Sequence, residues 1–239
     1  MNQQEKQTQP PKLSERLSVA ARMCRPGVKV ADVGTDHAYL PIYLLLTRRI
    51  RGGVVSDIHR GPIERAEKNI REYGCEEQLV AVQCDGLNGI EQYNPRDIFI
   101  LGMGGDLIAS ILAAAPWIKE RQRKLILQPM THPEAVRSFL ISNGFSILDD
   151  HMVEEDGKFY QVLSAIYTGK EEVYTSAELL CGKHNLMRVD IRVYRYVERQ
   201  IVTLTARREA RSAAGIDTSY EDTLLRELIT WRKIYHDCT

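Results

Sequence analysis

Between residues 28 and 143, short apolar runs alternate with longer segments whose apolar residues recur every three or four positions. The runs 28–34, 53–58, 79–84, 97–102 and 124–128 predict strands, and the segments at about 37–48, 61–73, 106–118 and 132–143 predict helices. The stretches 97–101 and 124–127 are short apolar runs, each led by one charged residue (Asp97, Lys124), as expected of strands covered on both faces. Gly61-Pro62 opens one helix with proline in its first turn, and Asn143-Gly144 closes another. Ahead of the first strand, Ser14 reads as the N-cap of a helix bearing Leu13, Leu17, Ala20, Ala21 and Cys24 on one side. Pro26-Gly27 stops it. Residues 1–12, polar and ending at Pro10-Pro11, predict disorder.

After Gly144 the pattern becomes alternating. Residues 145–155 and 158–168 predict a hairpin joined at Asp156-Gly157. An α/β sheet finished by a hairpin is the arrangement of class I S-adenosylmethionine (SAM)-dependent methyltransferases, a Rossmann-like, seven-stranded sheet. Residues 1–168 form that domain in this reading, and residues 169–239 a helical coiled-coil domain. Two helical arms are predicted there, at about 176–212 and 219–236, around the turn 213–217. The first carries Met187, Ile191, Tyr194, Ile201 and Leu204; the second carries Tyr220, Leu224, Leu228, Trp231 and Tyr235. An antiparallel helical hairpin follows, with a long first arm.

Composition adds exclusions. Hydrophobic residues make up 44% of the 239, enough for a sizeable core. Thirty-two basic residues balance 32 acidic ones, so a nucleic-acid partner would have to be met by a local patch. The five cysteines (Cys24, Cys75, Cys84, Cys181, Cys238) have neither metal nor redox-motif spacing, which predicts reduced thiols in the cytoplasm. The histidines His59, His132, His151, His184 and His236 also lack metal spacing, and no metal is assigned. No signal core or membrane span is visible.

Residues 30–41 carry the chemistry: an apolar strand, a turn with the single glycine Gly34, then Asp36 and His37 opening a helix. That is where doubly wound sheets bind nucleotide-like ligands. A pyrophosphate needs several glycines for close backbone approach, so one glycine favours a sulfonium cofactor over a dinucleotide. Asp32 in the first strand, Asp57 ending the second and Asp85 after the third recur where a nucleoside needs acceptors: Asp57 for the ribose hydroxyls, Asp85 for the adenine amino group. Asp also caps strand ends, but three at consecutive ends favour the binding role. Gly102, Met103, Gly104 and Gly105 end the fourth strand, where a flat base can approach the backbone and Met103 can pack on it. No Asp/Asn-Pro-Pro-aromatic motif occurs there, which argues against exocyclic-amine chemistry. Gln128 ends the fifth strand, as a cleft group or as a strand cap. From Lys183 to Arg211, eight Lys/Arg face three acids, and Arg188, Arg192, Arg195 and Arg199 share one helical face. Such a stripe tracks phosphates or forms a solvated ion-paired face.

These motifs together resemble one family. Leu13-Ser14-Glu15-Arg16-Leu17, the stretch 31–41, Asp85-Gly86-Leu87, Gly102-Met103-Gly104-Gly105 and Leu125-Ile126-Leu127-Gln128-Pro129 are similar to the bacterial tRNA (adenine-22-N1)-methyltransferases, the TrmK family. Met130 departs from the Asn that often follows Gln-Pro there. The resemblance implies methyl transfer from SAM to adenine N1 of tRNA, in a cytoplasmic protein that is a monomer or weak dimer. Asp36, with His37, becomes the candidate catalytic group, stabilising charge near the adenine amino group. Arg16 is placed to meet the cofactor carboxylate or a phosphate. Ile58, Gly86, Gly102 and Met103 join the cofactor residues. Tyr39, Gly104, Gly105, Gln128 and the four arginines join the substrate residues. Two other classes stay open on the residues alone: a small-molecule methyltransferase with a dimerising tail, and a non-enzymatic RNA-binding module on this fold.

Overall fold

The computed structural model describes residues 9–120 and 122–237. The expectations for residues 1–8 and Cys238 lie outside the described residues. Residues 9–12 have no regular structure, yet Pro11 is buried, so the packed chain begins ahead of Leu13.

Helix α1 (Glu15–Met23) is capped by Ser14, whose side chain accepts from the Leu17 amide. Six further units follow: β1 (Val28–Val33), α2 (Tyr39–Leu46), β2 (Ile50–Asp57), α3 (Arg60–Glu72), β3 (Leu79–Gln83) and β4 (Asp97–Gly104). Then come α4 (Gly105–Ala113), β5 (Lys124–Thr131), α5 (Pro133–Ser142), β6 (Phe145–Glu155) and β7 (Lys158–Tyr167). The seven-stranded sheet has the order β3-β2-β1-β4-β5-β7-β6. The first five strands are parallel; β7 runs antiparallel to both β5 and β6. Asp156 and Gly157 both adopt positive φ, the geometry of a tight hairpin turn.

Neighbouring residues of each central strand point to opposite faces, and both faces are covered. Ile98 and Ile100 pack with Ile108, Leu112, Val136 and Leu140 of α4 and α5. Phe99 packs on the other side with residues of α1, α2 and α3, among them Ala20, Ile42 and Ala66.

Three boundaries differ from the sequence reading. β2 begins at Ile50 and runs through Gly52-Gly53. Those glycines belong to the strand because a Cβ there would lie 2.5 Å from the Gln78 carbonyl oxygen and 2.3 Å from that of Val30. α4 stops at Ala113, and Pro116 opens a separate short 3-10 turn. The long first arm is broken into α6 (Ser176–Cys181), α7 (Lys183–Leu186) and α8 (Ile191–Ala213).

The first break has a specific cause. Gly182 has φ +89°, and a Cβ there would lie 2.7 Å from the Asp150 carboxyl carbon and 2.8 Å from Nη2 of Arg137. Arg137 and Asp150 are both fully buried, with Nη2 donating to Oδ1 at 2.7 Å. Arg137 also donates to the Leu179 carbonyl at 2.9 Å and to Oε1 of Gln161 at 2.7 Å. Burial alone would raise the Asp150 carboxyl, but the Arg137 guanidinium and His184 hold it below the usual carboxylate range. This network ties α6 to α5 and β6.

The 23-residue α8 spans about 35 Å, shorter than expected. Its buried stripe is Val193, Tyr196, Val197, Ile201 and Leu204, packed against Leu224, Leu225 and Leu228 of α9 (Ser219–Asp237). Met187 and Ile191, expected in the stripe, are 75% and 59% exposed because the helix starts only at Ile191. Pairing is antiparallel: Arg207 meets Glu221 at 2.7 Å, Arg232 meets Glu198 at 3.2 Å, and Tyr194 stacks on Tyr235.

Candidate active site

The parallel strands deliver their carboxyl ends to one edge of the sheet, and most of the predicted cofactor residues collect there. Gly34 turns the chain at φ +78°, and the Gly34 and Thr35 amides donate to the Ser56 carbonyl at 2.7 and 3.0 Å. Thr35 Oγ1 accepts from the Ala38 amide at 3.0 Å, closing the loop before α2. Asp32 is 8% exposed, and burial pushes its carboxyl up to about 6. A buried acid so raised favours a cation as its neighbour.

At the end of β2, Asp57 Oδ1 accepts from the His59 amide at 2.7 Å, leaving Oδ2 without a protein partner among the described residues. Its side chain is 16% exposed. Ile58 beside it is exposed, offering an apolar surface to a ring. Asp85 is exposed after β3, and Gly86 follows it at φ +55°. Both line a cavity of about 510 Å³ that also takes in Leu107, Ile111 and Trp117. Gly102, at φ +77°, has open space where a Cβ would be. Met103 lies against the first turn: a Cβ on Gly34 would come within 2.0 Å of its Cε. Two carboxylates with free acceptor capacity, a buried acid short of a cation and an uncrowded glycine turn are the donor set a sulfonium nucleoside needs. The residues present fit SAM. Among the described residues no cluster of His, Cys, Asp or Glu is gathered for a metal, and no helix is long and apolar enough to cross a membrane.

Asp36, His37 and Tyr39 come together at the start of α2. The Asp36 carboxylate pairs with Arg65 of α3 and lies 3.1 Å from His37 Nε2. The His37 ring stacks on Tyr39 with centroids 5.2 Å apart, and Asn69 Nδ2 donates to the His37 carbonyl at 2.8 Å.

Other predicted residues are placed differently. Arg16 stands at the β5–β7 margin: its guanidinium lies 4.9 Å from the Tyr160 ring centre and 3.7 Å from Met130 Sδ. Gly105 is buried, and a Cβ on it would fall 2.1 Å from the His132 carbonyl oxygen, so it serves close packing of α4 on the β5 exit, not a substrate surface. Gly104 sits beside Thr131, with 3.3 Å from its added Cβ to Oγ1. Gln128 is 2% exposed and donates to the Pro129 carbonyl at 3.1 Å, supporting the β5 end from within.

The arginine stripe is not one helical face. Arg188 precedes α8 and binds the Asp149 carboxylate and the Asp150 carbonyl. Arg192 pairs with Asp190 at 2.7 Å and Glu15 at 3.5 Å, and Arg195 with Glu154 at 2.7 Å. Arg199 is exposed and has no ion pair among the described residues.

Sequence reasoning missed two features. Arg65 lies 29 positions from its partner Asp36. His132, at φ +49° where β5 exits, lies 2.5 Å from Asp106 Oδ2, and that bond raises the imidazole above its ordinary value. Neither pair has a local sequence signal.

Known proteins resemble the chain closely. A family described as a methyltransferase domain matches residues 13–163. A Bacillus subtilis tRNA (adenine(22)-N(1))-methyltransferase is 36% identical over 171 residues, 72% of each chain. The crystal structure of the B. subtilis m1A22 tRNA methyltransferase TrmK superimposes with a TM-score of 0.79 at 31% identity, covering 95% of this chain and 98% of that one. A Streptococcus pneumoniae candidate tRNA (m1A22) methyltransferase, solved in complex with S-adenosyl-L-methionine, gives a TM-score of 0.81 at 28% identity, covering 91% of this chain and 99% of that one.

Proposed function

This chain belongs to the tRNA (adenine(22)-N(1))-methyltransferase family, and we propose that it transfers a methyl group from SAM to N1 of adenine 22 in tRNA. The carrying observation is the gathering of Asp32, Asp57 and Asp85 at three adjacent strand ends around Gly34 and Met103. Bound there, SAM supplies a methyl group on a positively charged sulfur.

In this reading the free oxygen of Asp57 accepts from the ribose hydroxyls, Asp85 accepts from the cofactor's adenine amino group, and Ile58 and Gly86 border its ring. Asp32 provides the negative charge that a cationic ligand balances. Gly102 leaves room for the target base, and Tyr39 and Met103 are its packing surfaces.

Adenine N1 already holds an in-plane lone pair, so no proton must leave before the new bond forms. The chain's task is therefore orientation, with effective molarities that can be worth several kcal/mol, and stabilisation of the charge growing on the base. Asp36 is assigned the second role, and Arg65 and His37 fix its carboxylate in place. N1 lies on the pairing edge, so the nucleotide must leave its stack to react.

The apolar stripe of α8 is covered by α9 of the same chain, which favours a monomer or weak dimer over a tail that dimerises through that stripe. Incubation with SAM and an unmodified tRNA carrying adenine at position 22 tests the reading: methylation there supports it, and none refutes it.

A further inference from the structure

We propose that the groove between the β6–β7 hairpin and α8 holds the RNA phosphodiester next to the flipped target nucleotide, with Lys158 and Arg199 as its two cations. The inference rests on the RNA substrate proposed above. The groove has a volume of about 500 Å³, within the range of ligand-sized clefts. Its walls include Met130 and Thr131 from the end of β5, Lys158 and Tyr160 from the start of β7, and Arg199 and Gln200 from α8. Among the described residues no carboxylate lines it.

Its cations differ from those around them. Arg16 lies 4.0 Å from Glu155, Arg192 is held by Asp190 and Glu15, Arg195 by Glu154, and Arg188 by Asp149. Lys158 and Arg199 are exposed and pair with no carboxylate among the described residues. Two cations without an ion-pair partner among the described residues, sharing the groove with the Thr131 hydroxyl and the Gln200 amide, make an anion site. Arg195, one helical turn away, carries no comparable field because Glu154 neutralises it.

Position selects the anion. Thr131 pairs with Gly104, and Pro129 with Met103, across the β4–β5 ladder. The groove therefore opens one strand away from the loop proposed to receive the target base. A nucleotide swung out of its stack brings its backbone with it, and the neighbouring phosphodiester is the anion that must be held at that distance.

The test measures tRNA affinity against salt for full-length wild type and Lys158→Gln/Arg199→Gln, with SAM affinity measured in parallel. We expect SAM affinity to stay within about twofold and tRNA affinity to fall about tenfold or more. The slope of log affinity against log salt should shrink by about 1.4, the value for two cations on single-stranded phosphates. The swap Lys158→Arg/Arg199→Lys should retain most of the slope. Lys68→Gln/Arg71→Gln on α3, which removes the same charge elsewhere, should leave it unchanged. If the first variant loses SAM binding through misfolding, each single exchange should still give about half the slope change. An unchanged slope in a wild type that methylates tRNA overturns the groove and leaves the enzymatic reading standing. An equal change in the α3 control overturns it as well. Failure of wild type to bind or methylate any tRNA removes both.

Discussion

The Met103 thioether occupies the hollow that Gly34 leaves open: a Cβ on Gly34 would sit 2.0 Å from Met103 Cε, and Gly34 also needs φ +78°. Gly34→Ala is therefore strained twice over, by backbone conformation and by collision. We expect it to weaken SAM binding more than tenfold by calorimetry. Met103→Ala removes the side chain that lies over the turn, so SAM affinity should be unchanged or tighter while kcat falls. Weaker SAM binding by Met103→Ala would contradict this arrangement.

Asp32 opposes stability for the sake of binding. Its folded-state value of about 6 exceeds the ordinary 3.8, so the folded chain holds the proton more tightly than the unfolded chain. Stability from this group is full below about pH 4 and is lost as pH rises through about 6. Asp32→Asn should then raise the unfolding temperature at neutral pH, by at most roughly 3 kcal/mol of stability, with the gain vanishing near pH 4. The same variant should bind SAM poorly. A lower unfolding temperature at pH 7.5 would show that the buried charge is not the cost inferred here.

Arg137 and Asp150 anchor α6 to the sheet and α5, and removing one partner strands the other charge. Asp150→Ala should cost about 3–5 kcal/mol in urea unfolding. Replacing both residues by apolar ones of similar size should cost less. Because the folded-state value of Asp150 is depressed, its contribution is present above the unfolded value near 4 and lost as pH falls through the folded value. Wild type should lose stability in that acid range more steeply than the double variant.

Asp36 has both oxygens committed, one to Arg65 and one to His37. Asp36→Ala should abolish transfer while SAM affinity stays within about threefold. Arg65→Ala should lower kcat less, because it removes a positioning contact and leaves the carboxylate. An equal loss of SAM affinity in Asp36→Ala would assign that residue to the cofactor instead.

The sheet and its acidic strand ends were legible because their causes are local. The run 98–101 is apolar throughout, and a doubly wound sheet gathers the carboxyl ends of its strands, where Asp32, Asp57 and Asp85 lie, at one edge. Gly52-Gly53 hid part of β2 because their reason is the backbone of Gln78 and Val30. The break at Gly182 depends on a buried pair formed by residues 137 and 150. The arginine stripe left two readings open because periodicity counts charges but does not see Asp149, Glu154 and Glu15, which arrive from other elements and pair with three of its four members.

The central claim is transfer to one nitrogen of one base. Labelled SAM should be incubated with the purified protein and an unmodified tRNA carrying adenine at position 22, beside the same tRNA carrying guanine there. The account predicts label only in the first tRNA, recovered on digestion as N1-methyladenosine. No label in either tRNA despite measured SAM binding, or label in another nucleoside, would contradict it.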